Sequence, residues 1–233
     1  MDGKPRVGVV FGGRGVLGTA IVEALENDGL TVWTVGRSES DSTRHLVLRD
    51  GGAAEARPLA ELPVLDVAVW AQGRNADDSI EELEEDTFQS VIDANLTYIA
   101  LTLSGLLRSN RLADGARLCL LSSIWQDSVR TNKFSYAVSK SALAGLVRSA
   151  AADLASRNIL VNAVLPSVID SAMTRKVLGQ DQIDRVAAAT GFGRLVTAAD
   201  VASAVRFLTS MENRSITGQF LRVDLGFTNA HQL

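Results

Sequence analysis

The chain has 233 residues, of which 46% are hydrophobic and 21% charged, and its formal net charge is −4. This length suits one α/β domain with a substantial core, and the acidic balance argues against nucleic acid or an anionic membrane surface as a partner. One cysteine and two isolated histidines, without a cluster of ligating residues, argue against disulfides and against a metal site.

Targeting and membrane-spanning signals are not expected in this sequence. No apolar run reaches the roughly 18 residues of a spanning helix, and the N-terminus leads directly into a strand and a glycine loop instead of a signal-peptide pattern. We therefore expect a soluble, cytoplasmic protein with a single domain over residues 1–233.

The first predicted unit is a strand at 7–11, a glycine-rich turn, a helix over 19–28 and a second buried strand at 31–35. Such a βαβ unit presents backbone N–H groups and a helix N-terminus to a phosphate. We predict dinucleotide binding, the alternative being a merely structural tight turn. The predicted contacts in the turn are Gly12, Arg14, Gly15, Val16, Leu17 and Gly18.

The end of the second strand predicts which dinucleotide is bound. A carboxylate there accepts hydrogen bonds from the ribose of NAD, whereas a basic residue pairs with the 2′-phosphate of NADP. Arg37 is placed to bind that phosphate, with Ser38 as a further donor and Arg14 approaching from the glycine loop. We expect NADP(H); the alternative is that both arginines are solvated and Glu39 reaches the ribose.

The middle of the chain continues the alternation of strands and helices. A short third strand is predicted at 45–48, a short or broken helix at 53–62, and an apolar fourth strand at 66–71 that is typical of a parallel strand covered on both faces. A long helix over 87–107 contains Asn95, and a buried strand at 116–121 runs into Ser122 and Ser123.

Tyr136 and Lys140 stand four residues apart, so on a helix both side chains lie on one face. A cation beside a phenol favours the phenolate and makes proton exchange by tyrosine plausible. Taken alone, such a pair more often belongs to a solvated helix surface than to an active site.

Together these residues resemble the short-chain dehydrogenase/reductase family. In that family a strand ends in a catalytic serine, a Tyr-x-x-x-Lys pair opens the next helix, and an asparagine on the preceding helix completes a tetrad. The matching residues here are Asn95, Ser123, Tyr136 and Lys140. The resemblance implies a Rossmann-like, doubly wound, mainly parallel sheet of seven strands with helices on both faces.

The resemblance extends over nearly the whole chain. The segment from Pro166 to Met173 is similar to the family's Pro-Gly-x-Ile-x-Thr-x-Met, which lies over the nicotinamide. By that match Pro166 is a cofactor contact, and the Ile169 backbone and the Ser171 hydroxyl hold the carboxamide.

Several positions depart from the family pattern. Val16 stands where most members carry glycine, a spacing similar to that of dihydropteridine reductase. Trp70-Ala71-Gln72-Gly73 replaces the usual Asn-Asn-Ala-Gly after the fourth strand and removes an amide that braces the sheet; by this match Ala71, Gln72 and Gly73 are predicted cofactor contacts. Leu225 interrupts the final Asp-Gly-Gly.

The resemblance implies hydride transfer between NADP(H) and a small-molecule carbonyl or alcohol, most simply ketone reduction. Tyr136 would exchange the proton and Ser123 would orient the carbonyl oxygen. Lys140 would lower the pKa of Tyr136 and bind ribose hydroxyls, and Asn95 would hold a water. The alternatives are a quinonoid pterin reductase, suggested by the glycine loop, and a non-catalytic NADP(H)-binding sensor.

Self-association is also expected. The helices predicted at 87–107 and 137–155 are apolar over more than one face. In this family such helices pair across a two-fold axis, which implies a homodimer or homotetramer.

Overall fold

A computed structural model describes residues 5–48 and 56–229. In this part of the chain seven parallel strands form one sheet in the order 3-2-1-4-5-6-7. The strands are β1 Val7–Phe11, β2 Thr31–Gly36, β3 His45–Val47, β4 Leu65–Trp70, β5 Leu112–Leu121, β6 Leu160–Pro166 and β7 Phe220–Val223. The predicted doubly wound α/β fold is confirmed.

Helices cover both faces of the sheet. They are α1 Val16–Asn27, α2 Ala56–Leu59, α3 Glu85–Ile92, α4 Tyr98–Arg108, α5 Phe134–Asp153, α6 Ala172–Val177, α7 Gln180–Ala189 and α8 Ala198–Thr209, with a π turn at Asp93–Thr97 that joins α3 to α4. One buried cluster packs α4 and α5 against the sheet, and a second packs α1 and α8 against its other face. Strands buried on both sides explain the apolar runs without alternation.

The strand order reverses between β1 and β4. The chain leaves β1 towards β2 and β3, then crosses to β4 on the other side of β1 and continues outward to β7. In open α/β sheets a ligand crevice lies at the carboxyl ends of the strands where the order reverses. The residues that follow Phe11 and Trp70 therefore line the mouth of this crevice.

Element boundaries differ from the expectations in a few places. Strand β5 begins at Leu112 rather than 116, and its pairing with β4 shifts register between Leu65 and Val67. The helix expected at 53–62 is seen only as Ala56–Leu59, and residues 53–55 lie outside the described part of the chain. Helix α5 begins at Phe134, so Tyr136 already lies in its first turn.

The stretch Glu85–Arg108 forms 24 continuous helical residues that are long and apolar enough to cross a membrane by length and composition alone. The expectation that no apolar segment reaches that length is wrong for this helix. Its side chains at Ile99, Leu103 and Leu106 lie in the core against the sheet. A core helix of an α/β protein meets the same criterion, because it is apolar over most of its surface.

Candidate active site

The glycine loop leaves the start of α1 open to an anion. Gly12 has a φ of +75°, and its carbonyl accepts from the Gly15 N–H at 3.0 Å. A Cβ at Gly18 would lie 2.1 Å from the Gly12 oxygen, so glycine is required for this close approach. Helix α1 has neither a side-chain cap nor an acidic residue in its first turn. The N–H groups of the first turn are thus open to an anion, and their contact with a dinucleotide phosphate stays a prediction.

The residues predicted to bind the 2′-phosphate lie in and next to the loop after β2. Arg14 reaches across from the glycine loop and donates to the Ser38 hydroxyl at 3.1 Å and to the Glu39 carbonyl at 2.6 Å. Arg37, the residue before Ser38, is exposed. The structure therefore brings Arg14 to Ser38, as expected, and leaves the Arg37 guanidinium open to solvent.

His45 supports this loop and was not singled out from the sequence. Its Nε2 lies 2.9 Å from the Ser38 carbonyl oxygen, and its Nδ1 lies 2.7 Å from the Thr34 hydroxyl. A carbonyl only accepts, so Nε2 carries a proton and holds the Ser38 backbone in place. The pairing of β2 with β3 sets Thr34 opposite His45. Predicting that pairing would have placed the His45 side chain next to this loop.

Three residues after β4 connect the crevice with the predicted tetrad. The Ala71 N–H donates to the Phe11 carbonyl at 2.9 Å, which holds the ends of β1 and β4 together. A Cβ at Gly73 would lie 3.1 Å from Asn95 Oδ1 and 3.7 Å from Lys140 Nζ. Between them, Gln72 packs its backbone and Cβ against Gly12, and its buried carboxamide atoms have no hydrogen-bond partner within residues 5–48 and 56–229.

Trp70 replaces the bracing asparagine with a different brace. Its indole is fully buried, stacks on Phe11 with ring centroids 5.2 Å apart, and donates from Nε1 to the Thr102 hydroxyl at 2.9 Å. Strand β4 is thereby tied to α4 through a buried hydrogen bond. Where the family's usual asparagine carries an amide, this chain thus has an indole with its own buried hydrogen bond.

The π turn carries Asn95. Residues 93–97 widen the helix locally, and the Asn95 side chain is fully buried. Its Nδ2 donates to the Arg74 carbonyl at 2.8 Å and to the Ser139 hydroxyl at 2.9 Å, while Oδ1 accepts from the Arg74 N–H at 2.7 Å. Asn95 therefore joins the loop after β4 to helix α5, and π turns are frequent at functional sites.

Ser123, Tyr136 and Lys140 meet at the carboxyl ends of β4 and β5. The Lys140 ammonium donates to the Leu121 carbonyl at 2.8 Å and lies 5.6 Å from the centroid of the Tyr136 ring. Ser123 follows β5 and accepts from the Trp125 N–H at 3.2 Å. The structure thus brings together all four residues of the predicted tetrad, which the sequence spreads over 46 positions from 95 to 140.

Burial governs the ionisation of the pair. Burial raises the pKa of Tyr136 above its usual 10.0, and a hydrogen bond with Ser123 lowers it in part. Burial also lowers the pKa of Lys140 to about 8. The expected lowering of the Tyr136 pKa by Lys140 is not found: burial is the largest cause and raises this pKa, and the group that lowers it in part is Ser123.

A second lysine also lies near Tyr136. Lys133 is almost fully buried, with its Nζ 6.0 Å from the centroid of the Tyr136 ring. It donates to Asn75 Oδ1 at 2.9 Å and forms an ion pair with Asp77. This arrangement ties the loop after β4 to the start of α5, and the sequence analysis missed it.

The segment predicted to lie over the nicotinamide follows β6. Ile169 forms an isolated parallel bridge with Val196, and Pro166 ends the strand. The Ser171 hydroxyl accepts from the Thr174 N–H at 3.1 Å and so begins α6. Ile169 and Ser171 are placed near the sheet end as expected, and their contact with a carboxamide stays a prediction.

Comparison with known proteins supports the same family. A family model described as enoyl-(acyl carrier protein) reductase matches residues 51–228. The 3-oxoacyl-[acyl-carrier-protein] reductase FabG of Salmonella typhimurium is 29% identical over 241 residues, covering 97% of this chain and 98% of the relative. These matches give no support to the quinonoid pterin alternative.

Two solved structures show the same fold. The ligand-free aldohexose dehydrogenase of Thermoplasma acidophilum has a TM-score of 0.86 and 26% identity, with 99% of this chain and 96% of that chain covered. A gluconate 5-dehydrogenase from Burkholderia cenocepacia, in complex with NADP and tartrate, has a TM-score of 0.88 and 22% identity, with 99% and 97% covered. At the latter identity the likeness concerns the fold alone.

Proposed function

The chain belongs to the short-chain dehydrogenase/reductase family and is an oxidoreductase acting on carbonyl or alcohol groups; on that premise we propose that it reduces a ketone with NADPH. The observation that carries the proposal is the meeting of Ser123, Tyr136 and Lys140 beside the crevice at β1 and β4. The uncapped N-terminus of α1, which we propose to bind the cofactor phosphate, opens into the same crevice.

The residues present fit a nicotinamide dinucleotide. The glycine loop offers free N–H groups, and the Gln72 carboxamide lacks a partner at the mouth of the crevice. In the proposed complex these groups hold the diphosphate side, and Lys140 binds ribose hydroxyls. When bound, NADPH supplies the hydride.

The proposed proton donor is Tyr136. Its raised pKa keeps the phenol protonated at neutral pH, which is the form that donates to a carbonyl oxygen during reduction. Ser123 donates a hydrogen bond to the same oxygen and orients it. Asn95 keeps one lone pair of Oδ1 available for a water that links Lys140 to solvent.

The proposed preference for NADPH rests on Arg37, Arg14 and Ser38. Arg14 and Ser38 already touch, and the exposed Arg37 precedes Ser38 in the chain. Two guanidinium groups and a hydroxyl are better hydrogen-bond partners for a phosphate than for a ribose hydroxyl.

We propose further that the chain acts in the cytoplasm as a single domain and as a homodimer or homotetramer. Leu101 on α4 is 39% exposed and Val138 on α5 is 37% exposed, so each helix carries apolar surface outward. A monomer in light scattering at micromolar concentration would count against association.

The test is NADPH oxidation, followed by absorbance, with a panel of ketones that includes 3-oxoacyl thioesters and sugars. We expect turnover with at least one ketone, and a loss of about 10²–10⁴-fold in Tyr136→Phe with NADPH affinity retained. Tight NADPH binding without turnover on any substrate would instead favour the non-catalytic sensor. Near-normal turnover in Tyr136→Phe would remove Tyr136 from the mechanism.

A further inference from the structure

Gln72 has a buried side-chain amide with no partner. Among the described residues, its Oε1 and Nε2 are the buried side-chain polar atoms that form no hydrogen bond. Removing a carboxamide from water without replacing its hydrogen bonds is unfavourable, and native proteins avoid it except where a ligand or a function compensates. Gln72 therefore requires an explanation beyond packing.

The place of Gln72 in the fold supplies that explanation. It follows β4 by two residues, at the point where the strand order reverses, and its Cβ lies against Gly12 at the end of β1. The next residue, Gly73, lies beside Asn95 Oδ1 and Lys140 Nζ. Gln72 thus stands between the glycine loop, which suits a diphosphate, and the lysine proposed to bind ribose hydroxyls.

We propose that the Gln72 side chain is a cofactor-binding group particular to this chain, and that its carboxamide hydrogen-bonds the ribose–diphosphate part of a bound nicotinamide dinucleotide. This inference rests on the proposed function. The family's usual residue at this position is alanine, which has no polar side-chain atoms. A carboxamide offers both a donor and an acceptor, which matches a ribose hydroxyl and the neighbouring phosphate oxygen.

The proposal links stability to binding. Without a partner, the buried amide destabilises the folded chain. When the dinucleotide binds, the amide gains hydrogen bonds to it, and these bonds form only in the folded chain. An apolar residue of similar size should then stabilise the free protein and weaken the complex. A purely structural glutamine would leave dinucleotide affinity unchanged.

The test compares Gln72→Met and Gln72→Ala with the unmodified chain, using NADPH titration by calorimetry and thermal unfolding. We expect the midpoint of Gln72→Met without ligand to rise by about 2–4 °C. We expect its NADPH dissociation constant to rise about tenfold, the value of one to two neutral hydrogen bonds. Gln72→Ala should lose the same affinity, so the result does not depend on how methionine packs.

Gln126→Met is the matched control for stability. The Gln126 amide is also buried, but it accepts from the Ser122 hydroxyl at 2.9 Å and donates to Asp127. The same chemical change should therefore lower the unfolding midpoint there. Unchanged NADPH affinity in both Gln72 variants overturns this inference alone, whereas failure of the unmodified chain to bind NADPH or NADH would remove it together with the proposed function.

Discussion

The two sides of the crevice are built in opposite ways. On the catalytic side, Asn95, Lys140 and Ser123 are 0%, 3% and 6% exposed, and their hydrogen bonds join segments far apart in the chain. On the phosphate side, Arg14 and Arg37 are exposed, and Arg14 bonds to the neighbouring loop at Ser38 and Glu39.

The catalytic side is thus arranged before a ligand binds, whereas the phosphate side adjusts to the ligand that it recognises. Buried groups with fixed partners hold their geometry before any ligand arrives, so changing them should affect folding and chemistry together. Exposed cations are free to reorient around a phosphate, so changing them should affect cofactor choice with little effect on folding.

The strongest test of the catalytic side is Lys140→Met. Loss of the ammonium removes the proposed ribose contact and the group beside Tyr136, so turnover should fall by about 10³-fold. Steady-state kinetics with saturating NADPH measures this loss. Far-UV circular dichroism on the same variant should show native helix content, and a variant that keeps most of its turnover would contradict the assignment.

The same substitution should reveal the stability cost of a buried lysine. The pKa of Lys140 is lowered from 10.5 to about 8, so the unfolded chain binds more protons than the folded one between these values. The loss of folding stability caused by burying the charged lysine is complete below about pH 8 and disappears above the pKa of the unfolded chain. The free energy of unfolding therefore rises with pH between about 8 and 10.5.

We expect the unmodified chain to gain about 2 kcal/mol of unfolding free energy over Lys140→Met between pH 7 and pH 10. Urea unfolding at several pH values measures the difference. The raised pKa of Tyr136 is present in both proteins and largely cancels. Parallel stability profiles would show that Lys140 titrates normally.

Asn95→Ala tests whether the π turn depends on its amide. The substitution removes three hydrogen bonds and leaves the Arg74 backbone and the Ser139 hydroxyl without those partners. Thermal and urea unfolding should show a loss of about 2 kcal/mol. Ser139→Ala keeps both bonds between Asn95 and Arg74, but it removes the bond from Asn95 Nδ2 and the bond that the Ser139 hydroxyl donates to the Tyr136 carbonyl at 2.7 Å. It should therefore cost somewhat less than Asn95→Ala, and an unchanged unfolding free energy in Asn95→Ala would contradict a structural role for this amide.

The smallest expected effect is on the phosphate side. Arg37→Ala should weaken NADPH binding about tenfold, the value of one charge-assisted hydrogen bond at an exposed site. NADH affinity and the unfolding midpoint should stay unchanged. Arg108→Ala, another exposed arginine at the end of α4, serves as the control, and an equal loss for NADH would show that Arg37 does not read the 2′-phosphate.

The sequence was sufficient for features carried by local pattern. Glycine spacing and apolar strands depend on neighbours in the chain, so the fold was predictable from them. The four tetrad positions came from the resemblance to the family, and their catalytic roles stay a prediction. Their meeting at one sheet edge follows from the parallel topology, because the carboxyl ends of all strands lie together.

The remaining features depend on contacts between distant segments. The partnerless amide of Gln72, the support of Ser38 by His45 and the pairing of Lys133 with Asn75 are set by which strand ends adjoin. The direction of the Tyr136 pKa shift depends on burial, which no residue spacing records. A rule based on charge proximity alone predicted the opposite direction.

The π turn at residues 93–97 also controls the phase of the helix around it. Val91 and Ile99 are both fully buried, yet eight residues of regular α-helix would set them about 80° apart. Absorbing one residue in the wider turn reduces the offset to about 20°, the same as a seven-residue spacing. The buried apolar face thus continues from α3 into α4 as it would in a regular helix with one residue fewer. The extra residue widens the turn that carries Asn95 towards the crevice.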